Sequence, residues 1–399
     1  MSTAYIVSTG IITAIGRDYA GNLASLRAGN AGIAPLSLLR TRHHLPAGEI
    51  KLSNEELAQT YNLPAHWPRT ALLSSIAAKE AWEPLRCKTD GLRIGLISAN
   101  TVGGMDLTEG FYPLFKNDPA MGNDDDIRHH ECGAITRLTA SALDLQCWST
   151  TISTACSSSA NAIMMAARLL QQGRMDVVIA GGADALSAFT LNGFNALMIL
   201  DREPCRPFDQ NRKGLNLGEG AAYVVLANQK ALQQCELSPL AIVSGFANAN
   251  DAHHQTASSP DGKGNRFAME GALRSAGIDA DAISYINLHG TGTENNDASE
   301  GAAISAVFGK AVPTASSTKA FTGHTLGAAG AVEAVFSVMS IQEQCTWAHL
   351  RLQTPIADLD WQPATALIQQ PVKHVLSNSF GFGGNCSSLV LSAVDPAQT

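Results

Sequence analysis

The chain has 399 residues, of which 45% are hydrophobic and 16% charged, and its formal net charge at pH 7 is −8. This balance predicts a large apolar interior and excludes the positively charged field on which nucleic-acid binding depends. No uncharged apolar run reaches the ~18 residues that a membrane-spanning helix needs, so the sequence predicts no membrane span.

The cysteines and the N-terminus indicate the compartment. Eight cysteines are scattered through the chain without a C-x-x-C pair, which in a chain of this size predicts reduced thiols rather than a disulfide framework. Residues 1–16 lack a basic segment and are interrupted by Ser8, Thr9 and Gly10, so we expect no signal peptide. The sequence therefore predicts a cytoplasmic protein.

The first hundred residues alternate between strand-like and helix-like patterns. Residues 4–8 and 93–98 are predicted strands, and residues 20–28 and 70–82 are predicted helices. Three prolines interrupt residues 40–70, which we expect to be irregular.

Residues 110–133 form a long, charged stretch with poor periodicity, after a tight loop predicted at residues 101–106. Such a stretch is typical of a functional or partner-facing insertion. His129, His130 and Cys132 within it raise a metal site as an alternative, but no second ligand cluster stands at suitable spacing. A solvent-exposed loop is the preferred interpretation.

One cysteine stands where small and hydroxylated residues give way to a helical pattern. Apolar residues recur at helical spacing from residue 160 to residue 170, and Gly173 follows as a helix stop. Cys156 is therefore expected at a helix N-terminus, where unpaired N–H groups and the helix dipole favour the thiolate and lower the pKa. An inert core residue is the alternative, because free cysteines are usually buried. Residues 176–180 then predict a buried strand.

The pattern restarts near residue 240. Residues 241–245 repeat the character of residues 4–10, and residues 323–340 echo the cysteine-bearing helix. Alternating strands and helices indicate α/β layers. We therefore predict two similar halves, residues 1–238 and 239–399, in one compact unit.

Three further segments carry chemistry. The segment I-N-L-H-G-T-G-T-E-N-N-D-A-S-E places His289 in a Gly/Thr loop, with Glu300 at the expected start of a helix. The segment S-T-K-A-F-T-G-H-T-L-G-A-A-G holds Lys319 and then His324, which we expect to open another helix. The third segment, S-N-S-F-G-F-G-G-N-C, supplies glycines that let backbone approach a bound group.

Each segment alone has an ordinary structural explanation, and none is a Walker A or G-x-G-x-x-G loop, so nucleotide binding is not expected. Together they supply one thiol, two imidazoles, one ammonium and a glycine-rich loop. That set suits acyl transfer through a thioester.

In order and spacing, these segments resemble those of an elongating β-ketoacyl-[acyl carrier protein] synthase with a Cys–His–His centre. The motifs that carry the resemblance are T-A-C-S-S-S, H-G-T-G-T-x-x-x-D-x-x-E, K-A-F-T-G-H-x-x-G-A-A-G and N-S-F-G-F-G-G. The resemblance covers nearly the whole chain. It implies an α/β thiolase fold, in which two pseudo-symmetric halves form a five-layer α/β/α/β/α sandwich that is normally dimeric across its central strands.

The resemblance also implies a role for each reactive residue. Cys156 would take the acyl group, and the backbone N–H groups of Cys156 and Phe382 would form the oxyanion hole. His289 and His324 would hold the malonyl thioester and stabilise the enolate that loss of CO2 leaves. The enolate would then attack the acyl-Cys156 thioester.

The same resemblance assigns supporting roles. Lys319, near Glu300, would orient the site by charge and hydrogen bonding. The remaining positions would face the phosphopantetheine arm or form a gate; they are Thr291, Thr293, Phe380, Gly381, Phe382 and Gly383.

One position departs from the family pattern. Where the family usually has G-G-T-N, this chain has Gly383, Gly384, Asn385 and Cys386, so an amide replaces the expected hydroxyl. The departure puts contacts of the gate or the phosphopantetheine arm in question.

The resemblance implies no metal and no cofactor other than the phosphopantetheine carried by the substrate. It implies acyl carrier protein as a partner, together with a second copy or a chain-length-factor-like ketosynthase in the dimer. The motifs T-V-G-G-M-D and N-L-H-G-T-G-T-E-N-N-D resemble ketosynthases of bacterial aryl polyene and flexirubin-type pigment pathways.

Two alternatives to the elongating synthase remain at this point. A thiolase acting on coenzyme A thioesters could share the G-H-x-x-G-A-x-G motif, but H-G-T-G-T together with Lys319 argues against it. A non-catalytic chain-length factor would resemble this chain but lack the nucleophile, and Cys156 is present.

Overall fold

The computed structural model describes residues 3–395. Its strands are β1 (Tyr5–Thr13), β2 (Ala34–Pro35), β3 (Pro46–Ala47), β4 (Ile94–Ala99), β5 (Trp148–Ile152), β6 (Val177–Asp184), β7 (Gly220–Ala227), β8 (Ala241–Asn250), β9 (Tyr285–Asn287), β10 (Thr314–Ser316), β11 (Cys345–Thr346), β12 (Ile368–Gln369), β13 (His374–Phe380) and β14 (Asn385–Ser392). Its helices are α1 (Tyr19–Ala28), α2 (Asn54–Tyr61), α3 (Arg69–Trp82), α4 (Met105–Asn117), α5 (Cys132–Ala142), α6 (Ser158–Gln171), α7 (Ala188–Ala196), α8 (Gln229–Cys235), α9 (Lys263–Ala276), α10 (Glu294–Phe308), α11 (Lys319–Thr322) and α12 (Ala329–Glu343).

Ten strands form a continuous ladder in the order β10-β9-β13-β14-β8-β1-β7-β6-β4-β5. The order is symmetric about the junction of β1 and β8, because each half places its first strand at the centre and its last strand beside it. β1 and β8 pair at Tyr5 with Ile242 and at Ile6 with Ala241. This short junction joins two five-stranded sheets.

Helices cover both outer faces and fill the space between the sheets. α3 packs on β1, β6 and β7, α9 packs on β8 and β14, and α10 packs on α9. α6 and α12 lie in the middle, where α6 contacts β6 and β14 and α12 contacts β7 and β13. The predicted five-layer sandwich is therefore confirmed.

The middle helices are buried because they are apolar on all sides that meet a sheet. Ile163 and Leu170 of α6 and Val335 and Phe336 of α12 belong to one core and are fully buried. Burying such a side chain stabilises a fold by about 1.5–3 kcal/mol. The division of the chain between residues 238 and 239 stays a prediction.

Two predictions about the first seventy residues were wrong. β1 continues through Gly10 to Thr13 because its residues pair with β7 along this length. Residues 40–70 contain α2, which starts at a capping box in which Ser53 accepts from the Glu56 backbone and Glu56 accepts from the Ser53 backbone.

The prediction of an unstructured insertion at residues 110–133 was wrong at both ends. α4 runs to Asn117 with Pro113 inside it, and α5 begins at Cys132. Phe111 and Phe115 stack on one face of α4 with ring centroids 5.4 Å apart, which gives this helix a packed side.

Within residues 3–395, one group of three side chains lies close enough together to share a metal ion. That group lies outside residues 110–133, so it does not include His129, His130 or Cys132. Among these residues, no helix combines the length and the apolar character that crossing a membrane requires.

Candidate active site

Cys156 lies in a tight turn between β5 and α6. Ala155 has a φ of +52°, and Ser157 is the N-cap residue of α6. The Ser158 hydroxyl accepts from the Thr154 N–H at 2.8 Å and donates to the Ala155 carbonyl at 2.6 Å. The turn therefore holds the Cys156 side chain at the start of the helix, as the sequence predicts.

His324 meets Cys156 from the other half of the chain. Its Nε2 lies 3.1 Å from the Cys156 sulfur, and its Nδ1 accepts from the Leu326 N–H at 3.0 Å. Because Nδ1 accepts a hydrogen bond, the proton of the neutral ring is on Nε2. His324 does not open a helix: its backbone pairs with residues 216–218, and α12 begins at Ala329.

His289 follows β9 and completes the group. Its ring lies 5.4 Å from that of His324 at an interplanar angle of 87°. The Lys319 Nζ lies 3.2 Å from the His289 Nδ1. An ammonium can only donate, so the His289 proton is also on Nε2. Both imidazoles thus present a donor to the space around the Cys156 sulfur.

The carboxylate partner of Lys319 is Glu333 of α12, which accepts a hydrogen bond from the ammonium. This corrects the expectation that Lys319 pairs with Glu300. Both side chains of the pair are 3% exposed. Burial raises the pKa of Glu333 to about 7, and the nearby Lys319 charge opposes that rise.

Glu300 instead holds the His289 loop. It lies in the middle of α10, not at its start, and accepts from the backbone N–H groups of His289 at 2.9 Å and Gly290 at 2.8 Å. Asp297, one turn earlier, accepts from the backbone of Thr291 and Gly292. Two buried acids on one helix face therefore fix this loop.

Burial controls the protonation of the three reactive side chains. Desolvation raises the pKa of Cys156 to about 11, although the Lys319 charge and the backbone N–H groups of Phe382 and Cys156 act against it. The expectation of a lowered thiol pKa is therefore wrong, because burial outweighs the helix N-terminus. Desolvation, helped by the Lys319 charge, lowers the pKa of His289 and of His324 well below the usual value. A neutral thiol and two neutral imidazoles result at pH 7.

A cavity of about 410 Å³ opens over the three side chains. The predicted arm and gate positions all line it; they are Thr291, Thr293, Phe380, Gly381, Phe382 and Gly383. Lys319 and Glu300 lie behind His289. The Phe382 ring stacks on Phe194 of α7 with centroids 5.7 Å apart, so an aromatic pair forms one wall.

Gly381 brings residues 380–383, the predicted gate, close to Cys156. A Cβ at this position would lie 3.1 Å from the Cys156 backbone nitrogen and 3.2 Å from the Thr154 carbonyl oxygen. The Phe382 N–H that follows can therefore hydrogen-bond toward the Cys156 sulfur. Two backbone donors thus face the place where an oxyanion would form.

Asn385, the departure from the family pattern, faces away from this cavity. Its Oδ1 accepts from the Ser157 hydroxyl at 2.5 Å, from the Asn161 amide at 3.0 Å and from the Asn248 amide at 2.9 Å. Asn385 lines a separate groove on the other side of the Cys156 turn. Asn385, which replaces the hydroxyl residue of the family pattern, therefore contributes to hydrogen bonding beneath α6 and not to the cavity wall.

The potential ligand atoms of Cys156, His289 and His324 lie within 4.8 Å of one another. The Lys319 ammonium beside His289 disfavours a metal cation there. A thiol, two Nε2–H donors and two backbone donors around one cavity can instead hold a thioester carbonyl and stabilise negative charge on its oxygen.

Three residues of the site received no role in the sequence analysis. Glu333 is an acid in an otherwise uncharged apolar run, a pattern that indicates a buried charge with a partner. Asp297 precedes Glu300 by one helical turn, and that spacing places two carboxylates on one face. No comparable signal identifies Phe194, since its contact with Phe382 depends on the tertiary fold.

Comparison with known proteins agrees with this geometry. A family profile described as beta-ketoacyl synthase, N-terminal domain, matches residues 67–231, and one described as beta-ketoacyl synthase, C-terminal domain, matches residues 240–353. The chain is similar to 3-oxoacyl-[acyl-carrier-protein] synthase 2 of Coxiella burnetii (strain RSA 493 / Nine Mile phase I). The two are 32% identical over 98% of each.

Two solved structures share the fold over nearly the whole chain. A chain in the structure of the ketosynthase ApeO in complex with its chain length factor ApeC from Xenorhabdus doucetiae is 31% identical, with a TM-score of 0.87 over 98% of both chains. A chain in the structure of the ishigamide ketosynthase/chain length factor is 27% identical, with a TM-score of 0.92 over 99% of this chain and 100% of that one.

Proposed function

This chain belongs to the beta-ketoacyl synthase family, and we propose that it condenses an acyl group on Cys156 with malonyl-acyl carrier protein. The reaction is a decarboxylative Claisen condensation, which lengthens the acyl chain by two carbons and makes the protein an acyltransferase. The observation that carries the proposal is the meeting of the Cys156 sulfur with His289 and His324 on one cavity.

The first step transfers the acyl group to the enzyme. The Cys156 sulfur attacks the acyl thioester, the bond to the phosphopantetheine sulfur breaks, and the thiol proton ends on that departing sulfur. The backbone N–H groups of Cys156 and Phe382 stabilise the oxyanion. Losing one such donor typically costs about 2.7–4 kcal/mol of transition-state stabilisation.

The second step forms the carbon–carbon bond. The malonyl group loses CO2, and the oxygen of the resulting enolate accepts from the Nε2–H groups of His289 and His324. The enolate carbon attacks the acyl-Cys156 carbonyl, the bond to the Cys156 sulfur breaks, and the released thiolate takes up a proton from solvent. Lowered imidazole pKa values suit this role, because a neutral ring keeps its single proton on the nitrogen that donates.

Supporting residues hold this arrangement. Lys319 orients the His289 ring, and Glu300 holds the loop that carries it. Thr291 and Thr293, whose hydroxyls lie 3.0 Å apart on the cavity wall, face the phosphopantetheine arm. The gate consists of Phe380, Gly381, Phe382 and Gly383.

We further propose that the phosphopantetheine of acyl carrier protein delivers both substrates, without another cofactor. The dimer partner is a second copy or a chain-length-factor-like ketosynthase. A similar solved structure is a ketosynthase with its chain length factor, which supports the second choice. A bacterial aryl polyene or flexirubin-type pathway is the proposed context, and eight free cysteines support a cytoplasmic location.

The test is reconstitution of the reaction. The purified protein, alone and with its proposed partner subunit, is incubated with malonyl-acyl carrier protein and either an aryl or a saturated long-chain acyl starter. We expect a 3-oxoacyl product longer by two carbons, seen by mass spectrometry, and none from Cys156→Ala. Preference for saturated long chains would contradict the pigment pathway.

The same assay separates the two alternative functions. Turnover of coenzyme A thioesters without use of carrier protein would indicate a thiolase. Stoichiometric labelling of Cys156 by iodoacetamide or cerulenin would support the enzyme. Absence of both labelling and condensation in the presence of the partner would indicate a non-catalytic subunit.

A further inference from the structure

We propose that Asp184 is a positioning residue for condensation, which fixes the place and the tautomer of His324 through the turn at residues 325–327. Asp184 ends β6, is fully buried and does not line the cavity. The proposal rests on the proposed function, because it acts through His324.

The contact that matters joins Asp184 to the His324 turn. The Asp184 Oδ2 accepts from the Gly327 N–H at 2.7 Å. The neighbouring Leu326 N–H donates to the His324 Nδ1, and the His324 Nε2 faces the Cys156 sulfur. Asp184 therefore holds the Gly327 N–H. The adjacent Leu326 N–H is the group whose hydrogen bond to Nδ1 places the His324 proton on Nε2.

The turn needs such an anchor because its backbone is strained. Leu326 has a φ of +53°, a left-handed conformation that is unfavourable for a residue with a side chain. Surroundings must hold it in place. The Leu326 side chain packs in a small core with Leu186, Leu215 and Leu217, and the Asp184 carboxylate fixes the following N–H.

The carboxylate also fixes a loop that the sequence singled out and the proposed function leaves unused. The Thr101 N–H and the Val102 N–H donate to the Asp184 Oδ1 at 2.8 and 3.1 Å, and the Thr101 hydroxyl donates to Oδ2 at 2.6 Å. One buried carboxylate thus joins the T-V-G-G loop to the His324 turn.

Glycine at position 327 is required by this contact. A Cβ there would lie 2.8 Å from the Asp184 Oδ2 and 2.9 Å from the Thr101 side chain. Any larger residue would push the turn away from the carboxylate.

Ionisation of Asp184 makes the proposal testable by pH. Burial raises the pKa of Asp184 to about 6, although its four hydrogen bonds act against that rise. The titratable groups that face it are Cys132 and Tyr223, whose pKa values are raised by burial, so both stay neutral at pH 5–8. Below pH 6 the protonated carboxyl is a weaker acceptor for the Gly327 N–H.

Activity and stability then respond to pH in opposite directions. Between about pH 4 and pH 6 the folded protein binds a proton at Asp184 that the unfolded chain, with its carboxyl pKa near 3.9, does not bind. Protonation of Asp184 therefore increases the free energy of unfolding as the pH falls from about 6 to about 4. The rate of condensation should fall over the same window because the His324 turn loses its anchor.

The main variant is Asp184→Asn. Its amide oxygen in the place of Oδ1 keeps the bonds from the Thr101 and Val102 backbone N–H groups, while its NH2 in the place of Oδ2 opposes the Gly327 N–H and no longer accepts from the Thr101 hydroxyl. We expect kcat for condensation to fall about 10- to 100-fold with an unchanged KM for malonyl-acyl carrier protein. The decline of the rate below pH 6 should disappear. A folded Asp184→Asn variant that keeps both the kcat of the wild type and its decline of the rate below pH 6 (the acid limb) would overturn the proposal.

Asp176→Asn is the matched control at the other end of β6. Asp176 accepts from Arg93 and Asn228, far from the His324 turn. Its removal should lower stability and leave kcat and the acid limb unchanged. Equal loss of kcat in the two variants would show that Asp184 acts through stability alone.

Two further variants keep the outcomes distinct. Gly327→Ala disturbs the same contact from the opposite side and should reproduce the loss of kcat; it decides the question if Asp184→Asn does not fold. His324→Ala tests the proposed function. If it condenses at the normal rate, the proposed function fails. If it is inactive while both Asp184→Asn and Gly327→Ala are normal, this inference alone fails.

Discussion

The Lys319 Nζ lies 3.2 Å from the His289 Nδ1 and cannot accept a proton from it. The lysine therefore determines which nitrogen of His289 is protonated, and the backbone of Leu326 does the same for His324. Two unrelated contacts thus produce one result, a pair of Nε2–H donors directed at the same space.

The Lys319–Glu333 pair predicts a large loss of stability in Glu333→Gln. The substitution leaves a buried ammonium without its carboxylate, which typically costs about 3–5 kcal/mol. Urea denaturation measures the free energy of unfolding. The control is Glu343→Gln on the same helix, whose partner Arg27 is 54% exposed and whose loss should cost at most about 1 kcal/mol. Equal effects in the two variants would contradict the prediction.

Separate roles for the thiol and the histidines predict that Cys156 variants uncouple the two steps. Cys156→Ala should give no acyl-enzyme adduct by intact mass. Cys156→Gln should still decarboxylate malonyl-acyl carrier protein, because its side chain leaves the Nε2–H groups of His289 and His324 in place. Release of CO2 is the readout. Loss of both activities in a folded Cys156→Gln protein would show that the roles are not separate.

The raised thiol pKa predicts the pH dependence of alkylation. Because the pKa of Cys156 is about 11, the rate of iodoacetamide modification should rise about tenfold per pH unit between pH 7 and pH 9. Peptide mass spectrometry follows each cysteine separately, with the exposed Cys87 as an internal reference. A plateau above pH 8 at Cys156 would mean that the helix N-terminus outweighs burial after all.

His349 predicts an acid-sensitive contribution to stability. Its Nδ1 accepts from the Ser317 N–H at 3.0 Å, and its Nε2 donates to the Pro207 carbonyl at 2.7 Å, so the folded state needs the neutral ring. Burial lowers the pKa of His349 to about 4. The neutral His349 ring makes its full contribution to the free energy of unfolding above pH 6.5. About 3 kcal/mol of that free energy is lost as the pH falls toward 4.

The variant for this measurement is His349→Gln. The difference in unfolding free energy between wild type and variant should shrink between pH 7 and pH 4.5. A difference that is constant over this range would exclude His349 as its source.

Asn385 predicts a cost in stability when its amide is removed. Asn385→Ala leaves donors from Ser157, Asn161 and Asn248 without their shared acceptor, which should cost about 1–3 kcal/mol. Thermal denaturation is the measurement, with the exposed Asn117→Ala as control. A neutral Asn385→Ala would show that the donors find other partners.

Local patterns in the sequence were enough to predict most of the elements around the site. The periodicity of α6 and the buried runs of β4 and β6 are properties of neighbouring residues, and the structure confirms these elements. α4 was not predicted because Pro113 and the charged residues near it interrupt the helical pattern of apolar residues, and only a narrow side of this helix is apolar. The fold class followed from the motifs.

The sequence predicted that Cys156, His289 and His324 share one site, but it predicted neither the partner of Lys319 nor the direction of the thiol pKa shift. Sequence order brings Cys156, His289 and His324 together only through the motif resemblance, and the structure places them on one cavity. The partner of Lys319 depends on where the fold places α12 relative to Lys319, which no local pattern encodes. The thiol pKa was predicted in the wrong direction because burial is a property of the assembled fold.

The Cys156 and His324 side chains at the centre of this cavity are 168 residues apart in the chain. During synthesis the nucleophile leaves the ribosome well before the imidazole that faces it. The nascent thiol is then an ordinary cysteine, without donors to direct a thioester toward it. The Cys156 thiol therefore meets the Nε2–H of His324 only after the later segment of the chain has packed against the earlier one.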